Sequence, residues 1–254
     1  VSAAIDTADT ASVAAAAAAG VEIVEVASPD ELDVLRSTMD SIWGPEIVPP
    51  RNLLRGLALS GNCLLVARRD DEPVGFALGW LGWDGGVHFH SHQVGVQTGT
   101  RGGGVGFALK LAQRALCLRH GMTEMRWTFD PMLFSNARFN LVRLGARVVG
   151  VLPHCYGDRR DAFNTGERTD RLEVSWRLDA PIGAALVAPE GRAVVTVPAD
   201  YATWRLTDPV AAAAERARVT DHLVSAMAAG RRVVGLSADG YVLGEVGSSG
   251  EVGP

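Results

Sequence analysis

Cysteine is scarce in this chain: Cys63, Cys117 and Cys155 are the only three in 254 residues, at unrelated spacings and with no Cys-x-x-Cys pair. So small and scattered a set excludes a disulfide scaffold and fits reduced thiols in a cytoplasmic protein. Basic charge is also short. Lys and Arg total 24 against 29 Asp and Glu, a net charge of −5, which argues against the basic face that nucleic acid demands. No apolar run approaches the length of a membrane span. The first twenty residues hold Asp6 and Asp9 but no Lys or Arg, so the alanine run at 14–19 lacks the positive flank of a secretory signal. Residues 1–20 are expected to be a disordered, alanine-rich tail. The rest carries the composition of a soluble globule, 47% hydrophobic and 21% charged across the chain, with length enough to bury a core.

The most informative segment is 94–118. A strand pattern over 87–96 runs into a stretch with five glycines between Gln97 and Gly106, and a helix pattern follows at once from Phe107. Such a loop leaves several backbone N–H groups bare at the positive end of a helix dipole. Glycine permits close backbone approach and left-handed φ values. The product is an anion cradle, best suited to a pyrophosphate. A Walker loop fails, because Gly99 and Gly104 are followed by Val105 rather than Lys. A dinucleotide fingerprint fails too: read from Gly102 its last position is Phe107, and read from Gly104 it is Leu109. What fits is Arg-x-x-Gly-x-Gly, spelled Arg101-Gly102-Gly103-Gly104-Val105-Gly106. A tight strand–helix connector with no ligand is the competing reading.

That motif resembles the coenzyme A loop of the GNAT (GCN5-related N-acyltransferase) superfamily. Downstream, a strand at 122–129 stops at Asp130-Pro131, and a short helix is expected over 135–145 with Gly145 as its stop; Ser135-Asn136-Ala137 through Leu144-Gly145 is similar to the second half of the GNAT signature. A wider set looks like one GNAT subfamily, sometimes associated with N-acylamino-acid racemases. It comprises Ser91-His92, Gln113-Arg114, the run 127–131, Phe139-Asn140, Tyr156-Gly157, Asp170-Arg171, the run 197–201 and Asp208-Pro209. The resemblance covers about residues 21–245. It implies acetyl-CoA or another acyl-CoA as cofactor, succinyl-CoA among them. The implied partner is a small-molecule amine such as an amino acid, in a protein able to form a homodimer.

Local patterns place the elements. A strand at 21–26 precedes Ser28-Pro29-Asp30-Glu31, which holds an N-cap, a proline at N1 and a glutamate at N3. Leu32, Leu35, Met39, Ile42 and Trp43 then recur at helical spacing. A second helix is expected over 50–59, a hairpin over 63–67 and 73–80, and strands at 148–152 and 172–178. The order predicts an α+β domain over 21–179: a mixed, mostly antiparallel sheet flanked by helices. A C-terminal extension over 180–254 follows, packed on that core. It has a strand near 192–197, a helix capped by Asp208-Pro209 and stopped by Gly230, and a hairpin turning at 238–240.

In the resembling fold the strands at 87–96 and 122–129 splay apart and the thioester enters the gap. The implied cofactor residues are Val94 and Val96 for the carbonyl and pantetheine, and Arg101, Gly102, Gly103, Gly104, Val105 and Gly106 for the pyrophosphate. Asn136 and Asn140 would hold pantetheine amides; the alternative makes Asn136 a helix N-cap. The acceptor amine must lose a proton, and histidine is the natural base near neutrality. His88, His90 and His92 alternate and share one face of the strand, with Phe89, Ser91 and Gln93 on the other. His92 is the first candidate. Asp130 is either a base or an Asp-Pro turn cap. Many GNAT enzymes have a tyrosine that protonates the thiolate; aligning Leu144-Gly145 puts Leu141 at that position, and leucine has no proton to give. Tyr156 is the available substitute. Arg159, Arg160 and Arg168 form a basic loop able to grip an acyl carboxylate or merely to be solvated. A zinc site built on the three histidines and Asp130 would support hydrolysis instead, but no Cys or His cluster completes it. The expected activity is N-acyl transfer by direct attack in a ternary complex, without a metal; the alternative is a non-catalytic acyl-CoA-binding or regulatory module.

Overall fold

The computed structural model describes residues 2–157, 168–183 and 194–245. They fall into two compact units, one of 2–127 with 177–179 and one of 128–157, 168–176, 180–183 and 194–245. The chain passes between the units at 179/180, and the second unit takes in 128–157 and 168–176 besides the tail. Residues of the tail group with 128–176 because ion pairs and hydrogen bonds, given below, tie them together.

In the first unit the elements are α1 (Ser2–Ala19), β1 (Glu22–Glu25), α2 (Pro29–Trp43), α3 (Arg51–Leu59), β2 (Cys63–Arg69), β3 (Glu72–Gly82), β4 (His88–Val96), α4 (Val105–Arg119) and most of β5 (Glu124–Phe129). The sheet order is β1-β2-β3-β4-β5. All neighbours are antiparallel except β4 and β5, which run parallel. The sheet-and-helix architecture expected from the pattern is therefore present. Ser28 accepts from the Glu31 amide at 3.2 Å while Glu31 Oε2 accepts from the Ser28 amide at 2.8 Å, closing the predicted capping box. The Ser28 amide, with the Ala27 amide at 2.9 Å beside it, holds the Glu31 carboxyl below its ordinary range. The stripe Leu32, Leu35 and Met39 is buried against Leu54, Leu64, Val66, Phe76 and Leu78. Full burial of one such side chain contributes about 1.5–3 kcal/mol.

The tail expected to be disordered is a helix. Alanine carries the highest helix propensity, and its small side chain lets two helices approach closely. Ala8 and Ala19 are buried, and α1 packs along α4. Asp9 pairs with Arg119 at 2.7 Å. The last carbonyls of α1, which lack helical partners, accept from Arg69: Nη2 to Ala19 O at 2.9 Å and Nε to Gly20 O at 3.3 Å. The segment has no wide apolar stripe because it needs only a seam of methyl groups.

The second unit holds α5 (Phe134–Ala137), β6 (Arg147–Leu152), β7 (Arg171–Arg177, to its penultimate residue), β8 (Val194–Thr196), α6 (Tyr201–Thr207), α7 (Pro209–Ala228), β9 (Arg231–Leu236) and β10 (Gly240–Glu245). β6 and β7 are antiparallel, and β10 lies between β8 and β9. Asp208 caps α7 by accepting from the Ala211 amide at 3.1 Å, as its sequence signature predicts. The helix expected at 135–145 is one α turn continued as a π-helical stretch, Arg138–Arg143, with Leu144 N–H reaching back to Phe139 O at 3.0 Å. Gly145 ends it at φ +80°. α6 was not foreseen.

A buried polar network closes this unit. Arg216 grips Asp130 with two 2.9 Å hydrogen bonds and donates to Tyr201 Oη at 3.1 Å. Burial pulls the Arg216 guanidinium down, but the Asp130 carboxylate outweighs it and holds the group above its ordinary range. Thr220 donates to Asp170 at 2.8 Å, and Tyr241 donates to Pro131 O at 2.7 Å.

Two stability outcomes follow from this packing. Ala8→Leu overfills the α1–α4 seam and lowers stability by about 1–3 kcal/mol, whereas Ala14→Leu on the exposed side changes it by about 0.5 kcal/mol or less; urea denaturation distinguishes them. Arg216→Met leaves the Asp130 charge without its fork and costs about 3–5 kcal/mol by the same measurement.

Candidate active site

The glycine loop delivers bare donors. A single turn at 98–100 brings the chain round, with the Arg101 and Gly103 amides bonded back to Thr98 and Thr100 at 3.4 and 3.3 Å. Gly104 then caps α4 at φ +87°, a left-handed conformation that a side chain would strain. The first helical bond is Ala108 N–H to Gly104 O at 2.9 Å. The amides of Gly104, Val105 and Gly106 therefore precede the ladder and project from the helix end, where no cap side chain competes for them. Arg101 is exposed beside them. A Cβ on Gly104 would lie 3.5 Å from Ala19 Cβ, so the end of α1 flanks the cradle.

β4 presents a second row of donors. Gln97 N–H donates to Val74 O on the β3 side at 3.0 Å. Amides alternate along a strand, so those of Gly95 and Gln93 also point to β3, and those of Val94 and Val96 point to the opposite edge. On that edge β5 pairs with β4 only at Phe89↔Met125 and His90↔Arg126. Beyond them the strands part. The Val94 and Val96 amides face the opening, where the sequence reading placed a carbonyl and pantetheine arm.

A β-bulge separates the two halves of β4. Leu78 lies opposite Gln93 and Gly79 opposite Ser91, so the register steps over His92. Gly79 is required here, because a Cβ would come within 2.7 Å of His90 O. The strict alternation expected for this strand is corrected by the bulge: Gln93, opposite Leu78, belongs to the α2 face of the sheet, not to the face of Ser91. His90 and His92 do share a face, packed with Trp80 at ring distances of 5.5 and 4.5 Å. Burial lowers the His90 pKa, with His88 and Lys110 adding to the effect. His88 is buried and tied to Gly86 O at 3.0 Å, a structural role.

On the other face Ser91 accepts from Lys110 Nζ at 2.7 Å and donates to Gln113 Oε1 at 2.8 Å. Lys110 also rests on Met125 Sδ at 3.8 Å and over the Trp127 ring at 3.8 Å. Burial pushes its amine down to about 7. The neighbouring thiols of Cys63 and Cys117 are raised by burial, Cys63 to about 12, and are inert as nucleophiles. The sequence reading missed Lys110; its clue was a lysine between Leu109 and Leu111 on the sheet-facing side of an apolar helix.

The remaining candidates lie in the second unit. Asp130 accepts from the Met132 amide at 2.9 Å as well as from Arg216, so of its two readings the turn cap is the one realised. Both carboxylate oxygens are occupied by the Arg216 fork, a correction to its candidacy as the base. Tyr156 is exposed, with its hydroxyl 3.1 Å from Thr128 Oγ1 at the end of β5 and its ring beneath Arg171. Leu141 is fully buried and serves packing. Asn140 is buried in the π-helical stretch, while Asn136 is exposed. Asn136 is not an N-cap, because the helix starts earlier, at Phe134 after Leu133. Arg168 is engaged by Asp170 at 3.2 Å; Arg159 and Arg160 lie outside the described residues. Among the described residues no group of three His, Cys, Asp or Glu is arranged to hold a metal ion, and no helix is long and apolar enough to cross a membrane.

Solved structures similar to the chain include Ard1 from Thermoplasma volcanium, at 19% identity and a TM-score of 0.49 over 62% of this chain and 97% of that one. Another is yncA from Salmonella typhimurium with acetyl-CoA, at 18% identity and a TM-score of 0.49 over 65% and 99%. A third is the ribosomal-protein-S18-alanine N-acetyltransferase of Escherichia coli, at 11% identity and a TM-score of 0.49 over 65% and 98%. Among curated proteins none matches the chain. Residues 32–139 match the acetyltransferase (GNAT) family, a span that takes in the bulged strand, the glycine cradle and the helix behind it. Over this segment, which is less than half of its length, the chain is similar to the GNAT family of acetyltransferases.

Proposed function

We propose that the protein is an acyl-CoA-dependent N-acyltransferase. It moves an acetyl or succinyl-type group to the amine of a small molecule, such as an amino acid, by direct attack in a ternary complex. The observation that carries this reading is the alignment of two donor rows along one stretch of chain: the Val94 and Val96 amides at the parted edge of β4, then the Gly104–Gly106 amides at the head of α4. The residues fit the group, since a diphosphate needs a helix N-terminus without competing side chains and an extended amide arm needs a strand edge. An acyl-CoA, when bound, supplies an acyl carbon activated as a thioester.

The chain's own groups do the rest. Arg101 and the amides of Gly104, Val105 and Gly106 anchor negative charge, with Gly102 and Gly103 shaping the loop around them. The Val94 N–H is directed at the opening, where it receives charge developing on the acyl oxygen. His92, at the bulge and packed on Trp80, takes the proton from the amine. Tyr156 is the proton donor we assign to the departing sulfur, in place of Leu141. Asn140 and Asn136 are assigned to the pantetheine arm. Direct attack fits the state of the three cysteines, whose thiol pKa burial raises in each case. The same free thiols suit a cytoplasmic setting.

The buried Leu141 favours a second reading, a non-catalytic acyl-CoA-binding module. Incubation with acetyl- or succinyl-CoA and a panel of amino acids separates the two by free-thiol release. Acceptor-dependent release is the expected result; saturable binding with no release at any acceptor selects the second reading. Gly104→Val and Arg101→Glu are each expected to weaken acyl-CoA binding by about tenfold or more in calorimetric titration, and unchanged affinity in both overturns the cradle. His92→Ala is expected to lower kcat by about 10²-fold with little change in the acyl-CoA KM, measured by steady-state kinetics.

A further inference from the structure

Of the 24 Lys and Arg residues in this chain, a single one is lysine, Lys110, and it is buried. Its neighbours on α4, Leu109 and Leu111, show what the position would hold if only packing mattered. A lone ammonium in apolar surroundings is costly, and no carboxylate among the described residues pairs with Lys110 to offset it. Residues that break the packing rule without a stabilising return mark functional positions.

Where the amine sits is specific. The last paired residues of β4 and β5 are Phe89↔Met125 and His90↔Arg126. The next residue on β4 is Ser91, whose Oγ is 2.7 Å from Lys110 Nζ. On β5 the amine touches Met125 Sδ at 3.8 Å and lies 3.8 Å from the centre of the Trp127 ring. One nitrogen therefore contacts both strands at the point of parting. Gln113, one turn further along α4, accepts from the same Ser91 hydroxyl at 2.8 Å. Ser91 is thus held from two positions of α4, immediately before the bulge at His92.

We propose that Lys110 is a positioning residue for the acyl-CoA slot: its amine braces Ser91 of β4 against Met125 and Trp127 of β5 and so fixes the spacing of the two strands where they separate. This rests on the acyl-CoA reading of the cradle. The brace is strongest as an ammonium, which donates to Ser91 and is attracted to the indole face; the neutral amine loses the second interaction. With the amine titrating near 7, the brace is intact in weakly acidic solution and slackens as pH rises through that value. The titratable groups that act on it are Cys63 of β2, Cys117 of α4 and His90 of β4.

The test compares wild type with Lys110→Met and Ser91→Ala in the full chain. Acetyl-CoA affinity is measured by calorimetry at about pH 6 and about pH 9, on either side of the amine's titration. Coenzyme A's own phosphate titration cancels in the ratio of wild-type to variant affinity. That ratio is expected to be about three- to tenfold at the acidic value and to fall at the alkaline value, where the neutral amine keeps only its hydrogen bond to Ser91. A ratio of one at both overturns the brace, and a ratio above one that does not change with pH reduces Lys110 to packing and overturns it as well. Should Lys110→Met fail to fold, Ser91→Ala removes the oxygen alone and carries the same expectation. Amide exchange of 91–96, read without ligand against 63–69, is expected to rise selectively in both variants. Because there is one lysine, ε-nitrogen-labelled protein gives one side-chain signal; titration above about 9 would place the amine in water and overturn the proposal. Wild type that binds no acyl-CoA defeats the acyltransferase reading itself, whereas wild type that binds while the variants match it defeats only the brace.

Discussion

The parting of β4 from β5 is the constraint on which the rest of this structure depends. Two parallel strands that paired along their full length would consume every amide on the shared edge. Here pairing stops after His90↔Arg126. The bulge at His92 ends the regular register with β3 in the same place. Between them these two irregularities leave a run of donors, Val94 and Val96, on a strand inside the sheet. The strand then feeds a loop whose glycines hold the next donors at the head of α4. Strand edge and helix end are complementary to one kind of ligand, a long polar arm that finishes in a diphosphate.

Such an opening has to be held from outside. α1 lies along α4, with Ala19 beside the cradle and Arg69 closing the helix end. Gln113 and Lys110 hold Ser91 from below. Gly79 lets Phe89 and His90 come close enough for the bulge to form. Each device sacrifices something locally: a buried amine, a glycine in mid-strand, a helix with no wide apolar stripe. Concentration of these departures around one loop is the signature of a site rather than of a weak core.

Much of this was legible residue by residue. The Ser28–Glu31 capping box, the Asp208-Pro209 helix start, the Gly145 stop and the hairpins are local chemistry, and they appear within a residue or two of their expected positions. The Arg101–Gly106 loop was readable because a phosphate cradle is built from backbone, and glycine spacing reports backbone directly. Asp130 was ambiguous for the opposite reason: its partner Arg216 is 86 positions away, and nothing near Asp130 announces it. The alternation of histidines was read correctly as far as it went, but a bulge depends on the neighbouring strand. The disordered-tail reading of 1–20 failed because alanine gives no amphipathic pattern, only propensity, and docking against α4 decides its fate.

The sequence by itself determined where the capped helices α2 and α7 begin, where the glycine loop meets α4, and which family that segment resembles, since all of these are written in spacings of a few residues. Only the tertiary structure decided that Asp130 is a structural ion pair, that β4 bulges at His92, and that the one lysine is buried at the mouth of the slot. Those outcomes rest on register and on long-range electrostatics, which no window of neighbouring residues contains.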